Sequence, residues 1–130
     1  MNITTKTWKE LLLSHKSEFP VILHGESYAT PYHFLYANLF PKRHDEIKNS
    51  TIYSLKEQRL SLEMFDEDLA RKLLMEVIDY KYKNDGAFAL ALRKTKDRII
   101  MSYEPDDFYF GHPRNIYGKA LMKYKRLNSN

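Results

Sequence analysis

The sequence predicts an α+β fold, mostly helical, in one compact domain over residues 1–130 with two or three short strands. Three observations lead there. A chain of 130 residues suits one hydrophobic core and is cramped for two. Apolar residues recur at helical spacing, most clearly at Leu69, Leu73 and Val77. Phe19-Pro20-Val21-Ile22-Leu23 and the stretch from Arg98 to Tyr103 are short, rich in β-branched residues and bounded by turn residues, as strands are.

Along the chain, Thr7 and Glu10 have the spacing of a capping box. Trp8, Leu11, Leu12 and His15 follow it, so a helix is expected near 7–16. The strand at 19–23 ends in a turn at Gly25. Thr30-Pro31 starts a helix: a hydroxyl to cap it, then a proline whose fixed φ suits the first helical position. That helix runs from Tyr32 to Phe40, stops before Pro41 and is poor in polar residues, so it belongs at the centre of the core. Residues 42–62 are polar and read as two short helices. Asp66-Glu67-Asp68 sets acids in the first turn of the clearest helix, 67–83, where the macrodipole favours them. Its i+4 line of Leu69, Leu73 and Val77 runs on to Lys81. Asn84-Asp85-Gly86 breaks it, and a further helix covers Ala87 to Arg93. After the strand at 98–103, Pro105-Asp106-Asp107 turns the chain and a last helix runs from Asn115 to Leu127 along Tyr117, Leu121 and Tyr124.

Composition removes several functions. There is no cysteine, which excludes disulfides, thiol catalysis and cysteine-bound zinc or iron–sulfur centres. No apolar run approaches the roughly 20 residues that span a bilayer. The opening MNITTKTWKELLLSHK does not read as a signal peptide. A cytoplasmic location is expected. Ten of the 18 aromatic residues are tyrosine, which suits contact surfaces as well as core. Glycine-rich phosphate loops, a nucleophile elbow and paired histidines on one helical turn are all missing. No cofactor and no metal are expected. His24 and His33 lie nine residues apart, and a histidine in an apolar helix, such as His33, usually reads as a hydrogen-bonded core residue.

The net charge of +4 is too mild to make a nucleic-acid binder by itself. Its distribution is uneven. Residues 63–79 hold six acids and two bases, whereas five bases and no acid follow Asp107: Arg114, Lys119, Lys123, Lys125 and Arg126. Lys119, Lys123 and Arg126 step by four and three and share one helix face. They read as a basic patch for phosphates or an acidic protein surface, or, more blandly, as a solvated face with cations suited to a helix C-terminus.

Two segments together carry a resemblance. Gly25, Thr30, His33, Phe34, Ala37 and Phe40 match the first motif of the NADAR superfamily, proteins linked to ADP-ribose and riboflavin metabolism that cleave N-glycosidic bonds. Lys81-Tyr82, Thr95, Asp107 with Phe110-Gly111, Asn115, Gly118 and Leu121-Met122 are similar to its later motifs, with Lys125 in place of an arginine. The resemblance implies a NADAR-like fold and a ligand pocket lined by Tyr28, Tyr32, His33, Leu39, Asp107, Phe110 and Asn115. Several of these depart from the family. Tyr28 and Phe110 replace tryptophans, Leu39 a lysine, Ser102 a glutamate, and Tyr32 the glutamate that precedes the histidine.

Opening an N-glycosidic bond needs a positioned carboxylate. A phenol, with an ordinary pKa of about 10, does not serve as one at neutral pH. Losing a general acid or base costs about 10²–10⁴-fold in rate. Asp107 is the candidate catalytic residue that remains, with Glu26 and Glu104 near the motifs in sequence. The expectation is therefore a non-catalytic binding protein. The alternative is an active N-glycosidase that removes ADP-ribose from modified nucleic acid or nucleotides. In size and in its Lys-, Asn- and Tyr-rich character the chain is also similar to the small RNA-polymerase-binding proteins (RpbA type) of T-even phages. That likeness implies host RNA polymerase as partner, a host-cell cytoplasm as location, and a basic C-terminal helix that meets acidic protein or nucleic acid.

Overall fold

The computed structural model describes residues 2–3, 14, 16–58, 60, 66–96, 98–102, 110 and 114–128. The helix expected near 7–16 falls almost entirely outside them; Ser14 and Lys16, which are described, are not helical.

The architecture is α+β and mostly helical, as expected. In chain order it comprises β1 (Asn2–Ile3), β2 (Val21–Leu23), β3 (Glu26–Tyr28), α1 (Pro31–Leu39), a 3-10 turn (Pro41–Arg43), α2 (His44–Lys48), α3 (Ile52–Gln58), α4 (Glu67–Asn84), α5 (Gly86–Lys94), β4 (Met101–Ser102) and α6 (Ile116–Asn128). Among the described residues the strands form two ladders. β1 runs parallel to β4, and β2 pairs antiparallel with β3 in the register Val21↔Tyr28, Leu23↔Glu26.

Local chemistry sets these boundaries. His24 (φ 54°) and Gly25 (φ 76°) both take positive φ, the requirement of a two-residue hairpin whose twist matches its strands. Beyond the turn expected at Gly25, β3 adds a polar Glu-Ser-Tyr strand with no apolar run to announce it. Thr30 caps α1 by accepting the N–H of His33 at 3.2 Å, and Pro31 takes the first helical position. Seven consecutive residues, Pro31 to Ala37, are buried, with Leu39 after them, so α1 is the core helix that its composition predicts. It packs against α2 and α4.

Asp66 caps α4 through the N–H groups of Asp68 (3.0 Å) and Leu69 (3.1 Å). Ala70, Leu73, Leu74, Val77, Ile78 and Lys81 form its buried stripe. Asp85 then ends α4, its N–H reaching the carbonyl of Lys81 at 2.7 Å, and starts α5, its side chain accepting the N–H of Phe88 at 3.2 Å. α6 turns Tyr117, Gly118, Leu121 and Tyr124 inward and packs on α4, α5 and β4. The strand expected over 98–103 is shorter: only Met101–Ser102 make a ladder, residues 98–100 do not, and Tyr103 lies outside the described residues.

Candidate functional site

Asp107, the candidate catalytic residue, lies outside the described residues, as do Glu104 and Gly111. The remaining pocket positions fall in four settings.

Tyr28 closes the β2–β3 hairpin and is 1% exposed. Its hydroxyl donates toward Oε2 of Glu26 at 3.3 Å, faces Nε2 of His44 at 3.3 Å and accepts from Nδ2 of Asn38 at 3.3 Å. Burial raises the phenol's pKa, against the donation from Asn38. Lys48 completes the group, its Nζ 3.0 Å from Oε1 of Glu26. That hydrogen bond holds the Glu26 carboxyl below its usual range and lifts the lysine above its own.

His33 is fully engaged. Its Nε2 donates to the carbonyl of Ser50 at 2.7 Å, because a carbonyl only accepts. Its Nδ1 therefore accepts the hydroxyl of Thr30 at 2.7 Å, while the same hydroxyl oxygen caps α1. Burial pushes the imidazole's pKa below 6.5, against the Ser50 carbonyl, and favours the neutral ring.

Tyr32 and Tyr36 lie one turn apart on α1 with ring centroids 4.6 Å apart; Tyr36 also meets Phe110 edge-on at 5.6 Å. Tyr28, Tyr32, Leu39 and Phe110 are 1%, 1%, 6% and 0% exposed, so four of the expected pocket positions carry buried apolar or aromatic bulk. The ammonium of Lys16 sits 5.3 Å above the Tyr32 ring.

Asn115 starts α6 at a φ of 54°. Its side-chain oxygen accepts the N–H of Ser102 at 2.6 Å, and its Nδ2 donates to the carbonyl of Ile100 at 2.9 Å. The amide thus takes the role of a neighbouring strand for residues 100–102. The hydroxyl of Ser102 is buried without a partner among the described residues.

Lys81 is a buried amine that the helix line places on the inward stripe and to which the sequence assigns no role. It is 1% exposed. Its Nζ donates to Oγ of Ser17 at 2.8 Å, lies 3.8 Å from Oδ2 of Asp85, and sits 4.6 Å and 5.5 Å from the ring centroids of Phe88 and Phe19. Burial brings its pKa down to about 8, against the pull of Asp85. The signal was available: a lysine at i+4 from Val77, on a stripe that is otherwise apolar, has its head group inside.

The five basic residues do not act alike. Arg114 pairs with Glu67 at 2.9 Å. Lys125 donates to Oγ1 of Thr95 at 2.6 Å and to the carbonyl of Lys96, which ties α6 to the end of α5. Lys119, Lys123 and Arg126 are exposed.

No protein-family model matches the sequence, and no curated protein does. Among solved structures, the fold is similar to that of the E. coli protein YbiA, determined by NMR. The TM-score is 0.75 and the match covers 100% of this chain and 88% of that one, at 16% sequence identity. This likeness concerns the fold alone. Among the described residues, no helix is long and apolar enough to cross a membrane.

Proposed function

We propose that this chain is a non-catalytic binding protein built on a NADAR-like fold. The observation that supports it is the filling of the expected pocket: Tyr28, Tyr32, Leu39 and Phe110 are all at most 6% exposed. Apolar burial of this kind stabilises by about 25 cal/mol per Å², so the substitutions strengthen the core where a ligand hollow was expected. His33 and Asn115 point the same way, since both side chains are spent on backbone groups. In this reading the contacts lie outside. The exposed face of α6 with Lys119, Lys123 and Arg126 offers positive charge, and Tyr53 on α3 is 69% exposed, a residue type enriched at interfaces. The partner proposed is a host RNA polymerase, met through an acidic surface.

Two measurements test this. The protein at stoichiometric concentration should release no ADP-ribose from an ADP-ribosylated oligonucleotide; release would overturn the non-catalytic reading. Purified RNA polymerase should bind the immobilised chain, and Lys119→Glu with Lys123→Glu should weaken that binding at least tenfold. Failure to bind removes the polymerase as partner.

A second reading, the active N-glycosidase, is favoured by Lys81 alone. An amine brought down to about 8 inside an aromatic surround is the kind of group that catalysis uses. If release is seen, Asp107→Ala and Lys81→Met locate the chemistry.

A further inference from the structure

The hairpin and α2 bring three metal-binding side chains together far from Lys81 in sequence. Glu26 opens β3, and His44 and Asp45 open α2. One ligand atom from each lies within 4.8 Å of the others. Nε2 of His44 is 3.0 Å from Oε2 of Glu26. The imidazole is held from its other edge, where Nδ1 faces the carbonyl of Ala37 at 3.2 Å. A carbonyl only accepts, so Nδ1 carries a proton and Nε2 is the atom turned to the carboxylate. Anchoring one ring nitrogen on a backbone carbonyl is how proteins fix the tautomer and orientation of a metal-ligating histidine. The Tyr28 ring meets the imidazole edge-on, with centroids 5.8 Å apart, and its nearly buried hydroxyl lies beneath both ligands.

We propose that Glu26, His44 and Asp45 bind a borderline divalent cation of the zinc class. The donor set is one imidazole nitrogen and two carboxylate oxygens, which such ions accept. The 3.0 Å between Nε2 and Oε2 is close to the edge of about 3.3 Å that two ligands span on a tetrahedral ion with bonds of about 2.0–2.1 Å. Three protein ligands leave one position of a four-coordinate ion for water, and Asp45, the exposed member of the three, has the freedom to close on the ion. Lys48 is the opposing element. Its ammonium holds the other oxygen of Glu26 and repels a cation. The site is therefore tuned to be weak, and the lysine is the residue that tunes it.

The inference does not rest on the proposed binding function and is tested on the full chain after chelator treatment. Zn²⁺ is titrated in a calorimeter, and Co²⁺ is followed by visible absorption. One ion per chain is expected. Glu26→Gln and His44→Gln should each weaken binding at least tenfold, Lys48→Met should tighten it severalfold, and His24→Gln, at the other surface histidine–carboxylate pair, should leave it unchanged. In the wild-type chain, imidazole ¹⁵N spectra should show Zn²⁺ shifting Nε2 of His44 while Nδ1 keeps its proton, a readout that needs no variant to fold. Absence of stoichiometric binding, binding that survives both ligand substitutions, or an unmoved His44 Nε2 would overturn the proposal and leave the cluster as a histidine–carboxylate contact.

Discussion

Gly118 lies so close beneath Asn115 that a Cβ at this position would fall 2.3 Å from the asparagine's Oδ1 and 2.4 Å from the carbonyl of Ile100. The Asn-x-x-Gly spacing is thereby explained without a ligand. Asparagine bonds to the extended segment 100–102, and glycine lets the helix come near enough for it to do so.

Gly118→Ala is expected to destabilise the fold by about 1–3 kcal/mol, because two of the atoms it meets belong to a committed hydrogen-bond pair and to backbone. Asn115→Gly separates the amide from the backbone geometry. Glycine accepts the φ of 54°, but Ser102 N–H and Ile100 C=O lose the asparagine that bonds them, each at a cost of about 1–3 kcal/mol. Urea denaturation of both variants checks this; unchanged midpoints would refute it.

His33 predicts acid sensitivity. Its folded pKa lies below 6.5, so the unfolded chain takes up the proton first as pH falls. Stability present above about pH 7 is then lost on the way down to the folded pKa, with a slope of at most about 1.4 kcal/mol per pH unit. Urea midpoints at pH 7.5 and 5.5 should differ in the wild type and converge in His33→Gln.

Lys81 predicts the complementary window. With a folded pKa of about 8 against 10.5 unfolded, the unfolded chain holds the proton that the folded chain has lost between those values, so stability rises with pH there. Below about pH 8 both states are charged and the full burial penalty stands. The side-chain ¹⁵N signal of Lys81 should titrate near 8, and Lys81→Met should flatten the rise in stability between pH 8 and 9.5. A midpoint near 10.5 would contradict the burial seen.

The basic helix should divide into structural and surface charges. Lys125→Ala removes the clamp on Thr95 and the Lys96 carbonyl and should cost about 1–2 kcal/mol. Lys119→Ala and Lys123→Ala, at exposed positions, should stay within about 0.5 kcal/mol of wild type. Thermal melts of the three variants distinguish the classes.

Much of the helical frame was legible because its signals are local. Thr30-Pro31, Asp66 and Asn84-Asp85-Gly86 act on their own neighbours within four residues, and the structure starts or stops helices at each of them. The strands were less legible. β3 has one buried side chain in three, and β4 pairs with the remote β1 while Asn115, just ahead of α6, accepts the N–H of Ser102. The candidate site was less legible still. Tyr28 and Tyr32 read as pocket linings from the motif, yet whether a ring points into a hollow or fills it depends on neighbours remote in sequence. Lys81 could be placed inside from its helix line, but Ser17, which holds its amine, is 64 residues away.

Asp85 has a consequence for how this chain tolerates change. Its N–H finishes one helix, one carboxylate oxygen begins the next, and the other faces the buried ammonium of Lys81. A corner fixed by one residue in three directions has no spare length. An inserted residue there would uncouple all three at once, so this joint should keep its length wherever the two helices are kept.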